Sequence, residues 1–129
     1  APPVGGLQRA RYYQWLVRVA NVVQPAFRNW YEPTEAAGEA NAEATRESAR
    51  LRIEGCWDRL DAHLAERGPW LLGDKLSAAD FQLTMLMRWS RNMPRTATEW
   101  PHLAKLAATM KARPSFRLLY EREQLSEWA

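Results

Sequence analysis

The sequence predicts an all-α protein, a bundle of about five helices. Three observations carry that prediction. Apolar residues recur at three- and four-residue spacing along nearly the whole chain, and no stretch shows the strict alternation of a half-buried strand. Proline and glycine stand where helices must stop or start, at Gly68-Pro69, Pro101 and Pro114. Ser77 and Asp80 are spaced as a capping box at the head of an apolar run.

Ala1 to Gly6, with Pro2, Pro3, Gly5 and Gly6, reads as an extended linker. A first helix is predicted from Leu7 to about Trp30, with Tyr12, Trp15, Leu16, Val19, Val22 and Val23 filling two faces. Pro25 removes a backbone donor and should bend it near Asn21. After a turn at Glu32 to Thr34, a long second helix extends to about Glu66. Its opening half is alanine-rich, with Glu43–Arg46 and Glu47–Arg50 pairs on an exposed face. Its closing half carries the stripe Ile53, Trp57, Leu60 and Leu64. The third helix, Ala78 to about Asn92, holds Phe81, Leu83, Met85, Leu86, Met87 and Trp89 and is apolar almost all round, as the middle helix of a bundle is. A loop from Met93 to Glu99 follows. The fourth helix starts at Pro101 and repeats Leu103, Leu106, Ala107 and Met110. Pro114 opens a short fifth with Phe116, Leu119 and Tyr120, and Leu125 and Trp128 are expected to tie down the tail.

The third helix has the most explicit start signal. Ser77 at the N-cap can accept from the Asp80 amide while the Asp80 carboxylate returns to the Ser77 amide. Leu76 and Phe81 are spaced as a hydrophobic staple. Aspartate is shorter than the usual glutamate, which predicts a tight, buried box.

Composition narrows the function classes. With 129 residues, 47% of them hydrophobic, the chain is long enough for one real core and too short for two ordinary domains. The single cysteine, Cys56, excludes an internal disulfide and a cysteine zinc site, and fits a reducing, cytoplasmic setting. It reads as inert packing beside Trp57. No apolar run approaches membrane-spanning length, and the opening residues lack the charged and hydrophobic parts of a signal peptide. The net charge of +3 comes from arginines spread from Arg9 to Arg122 among glutamates, a solvated surface rather than a nucleic-acid patch. His63 and His102 have no neighbouring ligands at metal spacing, and no glycine-rich phosphate loop is present.

Trp70-Leu71-Leu72-Gly73-Asp74, followed by Leu76-Ser77-Ala78-Ala79-Asp80, resembles the C-terminal helical domain of a glutathione S-transferase. Trp100-Pro101-His102-Leu103 and, after the fourth helix, Ala112-Arg113-Pro114-Ser115-Phe116 are similar to the end of the bacterial members. The resemblance implies that residues 1–129 are one such domain, that residues 1–6 are the remnant of an interdomain linker, and that the thioredoxin-like N-terminal domain, which carries the family's glutathione site, lies outside this chain. In that family the capping box is a folding element. The resemblance further implies no catalytic residue, metal or cofactor in this chain, with glutathione as substrate of the full-length protein, and a chain inactive alone.

The positions that match the family's wall for a small apolar electrophile are Gln24, Phe27 and Tyr31, spaced three and four apart on one helical face, with Trp89 from the third helix and Met93 just beyond it. Trp15 and Trp30 extend this into an aromatic cluster expected to line one cleft. A homodimer through the first two helices is implied, although Val17 and Val22 stand where bacterial relatives reach polar side chains across the dimer to the partner's glutathione. Two other readings share the fold. The same domain serves as a non-catalytic interaction module in translation factors and aminoacyl-tRNA synthetase complexes, and an apolar-ligand-binding protein would need no glutathione.

Overall fold

The computed structural model describes residues 1–125. Among these residues seven α-helices follow one another as α1 (Leu7–Arg18), α2 (Gln24–Tyr31), α3 (Pro33–Ala37), α4 (Ala42–Arg67), α5 (Ala78–Trp89), α6 (Pro101–Lys111) and α7 (Pro114–Arg122). Among the described residues the one β-type pairing is an isolated bridge between Trp70 and Gly73. Trp128, expected to tie down the tail, lies outside the described residues.

The expected first helix is two helices joined by a π-helical turn at Val19–Val23. Pro25 cannot donate to the residue four before it, and the chain widens just ahead of it, with the Gln24 amide bonding the Val19 carbonyl five residues back. The second helix also starts later than expected. Gly38, at φ 73°, breaks the chain after α3, and a short 3₁₀ turn at Glu39–Asn41 leads into α4. On α4, Glu47 pairs with Arg50, which also holds Glu54 at 2.6 Å. The expected Glu43–Arg46 pair is replaced by a different contact, with Arg46 donating to the Trp30 carbonyl and lying over the Trp30 ring.

Ile53, Cys56, Trp57, Leu60 and Leu64 form the buried stripe of α4. It packs on α2 and α6, while α5 fills the space between α1, the π turn and α6. Helix α5 is less enclosed than its composition predicts. Leu83, Leu86 and Met87 are fully buried, but Phe81 and Met85, four residues apart, are 47% and 41% exposed and leave one face open. Phe81 lies under the Arg113 guanidinium, and Leu76 packs on the core.

Two carboxylates of α4 catch the head of α6, whose own N-cap, Trp100, offers no capping side chain. Asp58 accepts from the Trp100 indole at 2.7 Å. Asp61 accepts from the His102 and Leu103 amides at 2.7 and 3.0 Å and from the His102 ring at 3.0 Å. The donors left orphaned by the first turn of α6 are therefore satisfied from another helix. Burial pushes the Asp61 carboxyl up, but the hydrogen bonds from His102 and Leu103 together outweigh it and hold the group below the usual aspartate range.

Candidate functional site

The α2 helix sets one side of a cleft of about 480 Å³. Gln24, Phe27 and Tyr31 share its face, and Trp89, the last residue of α5, closes the cleft opposite them. Phe27 is fully buried and braces the others. Its ring meets Trp89 edge to face at 5.8 Å, stacks with Tyr31 at 6.3 Å and leans on Trp57 at 6.1 Å. The Tyr31 hydroxyl donates to the Trp89 backbone carbonyl, which ties α2 to α5 across 58 residues of sequence. The wall is thus locked by packing and by one long-range hydrogen bond.

The other wall and cluster residues lie elsewhere. Met93 is buried, with its amide on the Ser90 carbonyl, and does not line the cleft. A 3₁₀ turn at Ser90–Asn92 separates it from Trp89 and turns it into the core. Trp15 packs on His63 in a tilted arrangement at 4.4 Å, and Trp30 takes Arg46, so neither belongs to this cleft. Sequence reasoning missed Ala20, Pro25, Arg28 and Glu32, which complete the lining. The spacing 20, 24, 28 and 31 was the available signal for Ala20 and Arg28, since it continues the face already identified. Arg28 sits on the rim in an exposed ion pair with Glu35.

The capping segment supports the fold beneath this cleft. The Ser77 amide donates to Asp80 Oδ2 at 2.8 Å. The Ser77 hydroxyl faces the Asp80 amide as a capping box requires, but its proton goes to the same carboxylate oxygen at 2.9 Å. Asp80 is fully buried, and its second oxygen accepts the Leu71 amide at 2.8 Å. A second box, Thr96 with Glu99, shapes the loop before α6 and was legible as Thr-x-x-Glu. The buried Ser90 joins that loop to α5, donating to the Met87 carbonyl at 2.6 Å and accepting the Ala97 amide at 2.8 Å.

Chemically, the cleft offers aromatic surface with an amide and a guanidinium at its edge. Such a surface can hold a flat apolar molecule; none of its residues is arranged as a nucleophile with a base. Cys56 is buried in the core, and burial pushes its thiol up against the weaker opposing pull of Arg18, Arg59 and Arg52. Among the described residues no three His, Cys, Asp or Glu side chains converge to hold a metal, and no helix is long and apolar enough to cross a membrane.

The glutathione S-transferase C-terminal domain family matches residues 20–118, a span that includes the cleft, the capping box and α6. The chain belongs to this family. Glutathione S-transferase GST-4.5 of Xanthomonas campestris pv. campestris is 32% identical over 83 residues, 64% of this chain and 40% of that protein. Among solved structures, a glutathione transferase of Methylococcus capsulatus strain Bath superposes with a TM-score of 0.84 at 26% identity, covering 97% of this chain and 59% of the other. A ternary complex of BphK, a bacterial glutathione S-transferase, gives the same TM-score and coverage at 25% identity. This glutathione transferase domain therefore spans less than two thirds of the length of the relatives it matches.

Proposed function

We propose that this domain is the helical half of a glutathione transferase and supplies the wall against which a small apolar electrophile is held for attack by glutathione. A thioredoxin-like N-terminal domain of the whole protein binds glutathione and stabilises its thiolate, the attacking species. The domain alone has no conjugating activity. The single observation that carries this reading is the convergence of Gln24, Phe27, Tyr31 and Trp89 on one cleft in a chain of this family. Val17 and Leu51, 55% and 56% exposed on α1 and α4, support a homodimer through those helices.

Conjugation of glutathione to a chloronitrobenzene by the full-length protein tests the proposal. Trp89→Leu is expected to raise KM for the electrophile by about tenfold, the equivalent of about 1.4 kcal/mol of lost aromatic contact, with KM for glutathione unchanged. Equal changes in both constants, or no conjugation by the parent protein, would remove the cleft from that role. Electrophile binding without any glutathione dependence would instead mark a protein that sequesters apolar ligands.

A further inference from the structure

A second cleft, of about 380 Å³, lies between the opening turns of α1 and the end of α4. Its lining is of a different chemical kind. Arg11 and Arg67 enter it from the two helices, with the amide side chains of Gln8 and Gln14 beside them. Neither arginine has an ion pair with a carboxylate among the described residues. Three of the six other arginines on the same two helices have partners. Arg9 donates to the Pro2 carbonyl and the Tyr13 hydroxyl, Arg46 to Trp30, and Arg50 to Glu47 and Glu54.

The wall between the two arginines is fixed in place. His63 donates through Nε2 to the Leu71 carbonyl at 3.0 Å, and Trp15 packs against its ring with the two planes tilted by 50°. Leu71 is held from the other side by the buried Asp80, and the Trp70–Gly73 turn is closed by a reciprocal pair of backbone hydrogen bonds at 3.0 and 2.9 Å. Gly73, at φ 87°, gives the turn its left-handed corner. Two guanidiniums and two amides are donors suited to a planar or tetrahedral oxyanion. The Trp15 indole adds an apolar edge.

We infer that this cleft binds a small organic anion, its carboxylate or phosphate group held by Arg11 and Arg67 and its flat body set against Trp15. This does not depend on the electrophile cleft, which is built from other residues.

Isothermal titration calorimetry of the natural-length protein in low salt tests it with four probes: phenyl phosphate, benzoate, inorganic phosphate and benzyl alcohol. Saturable binding of phenyl phosphate or benzoate is expected, and which of the two binds tighter identifies the anionic group. Inorganic phosphate should bind more weakly than phenyl phosphate, and benzyl alcohol not at all. Arg11→Gln combined with Arg67→Gln should weaken binding at least tenfold, and added salt should weaken it in the parent. The Trp15 indole resonance, assigned by Trp15→Phe, should move on binding, and Trp89→Leu should leave the affinity unchanged. Absence of saturable binding, equal binding of benzyl alcohol, or unchanged affinity in the double variant would each overturn the inference. Both arginines lie at the surface, so a melting curve matching the parent's will show that the double variant is folded.

Discussion

The Asp80 carboxylate reaches nine residues back along the chain to accept the Leu71 amide at 2.8 Å, while its other oxygen serves the Ser77 amide and hydroxyl. One buried side chain thus caps α5 and also pins the loop that leads into it. Asp80→Ala removes three hydrogen bonds, two of them to backbone donors that are left without a partner. At about 1 kcal/mol each the loss is expected to be about 3 kcal/mol, more than a helix cap alone contributes. Urea denaturation measures it, and a loss below that of a simple cap would mean that water replaces Asp80 at Leu71. Amide exchange at Leu71 should accelerate in the same variant.

Periodicity made most of this fold legible. The α4 stripe, the Pro101 and Pro114 starts and the stop at Gly68 all follow from local spacing, because each is a relation between residues a few positions apart. The face shared by Gln24, Phe27 and Tyr31 was legible for the same reason. What could not be read were relations across the chain and local departures from regular helix. The π turn depends on how the helix accommodates Pro25, and the burial of Met93 depends on the 3₁₀ turn before it. That Trp15 faces His63 rather than Phe27 is a contact between residues far apart in the chain. The open face at Phe81 and Met85 shows the same limit, since composition predicts an apolar helix but not which side of it is covered.

Asp61 should make stability depend on pH. Its carboxylate is held below the ordinary range by its hydrogen bonds to His102 and Leu103, so the unfolded chain takes up a proton at higher pH than the folded one. The contribution is fully present above about pH 4, the range of an unperturbed aspartate, and is lost as pH falls through the lower folded value. Asp61→Asn removes the charge and should flatten the stability profile below about pH 4, while costing about 1 to 3 kcal/mol at neutral pH as a charged acceptor at the head of α6 is lost. Chemical denaturation of both proteins from pH 3 to 7 checks this. Parallel profiles would show that Asp61 titrates alike in the folded and unfolded chains.

Gly68 is required for space. A Cβ at this position would come within 2.4 Å of the Leu64 carbonyl oxygen, a backbone atom of the last turn of α4. The Gly68 amide bonds that same oxygen at 2.8 Å, so the helix end cannot shift without breaking its own closing hydrogen bond. Gly68→Ala is therefore expected to destabilise by about 1 to 3 kcal/mol, as overpacking does. Gly55, whose added Cβ would meet nothing within 4 Å, is the control, and Gly55→Ala should hold or raise the melting temperature.

Tyr31 joins the two sides of the electrophile cleft through the Trp89 carbonyl, so its hydroxyl acts on position rather than on chemistry. Tyr31→Phe keeps the ring stacked on Phe27 and removes only that tie. A hydrogen bond of about 1 kcal/mol corresponds to roughly a fivefold change in an equilibrium constant. If the tie orders the wall, KM for the electrophile should rise by up to about that factor, with kcat and KM for glutathione unchanged, because ground state and transition state lose the same contact. Tyr31 is 40% exposed, and a hydroxyl that instead touched the reacting atoms would be needed in the transition state. A fall in kcat in Tyr31→Phe would reveal that second role and make Tyr31 a catalytic residue.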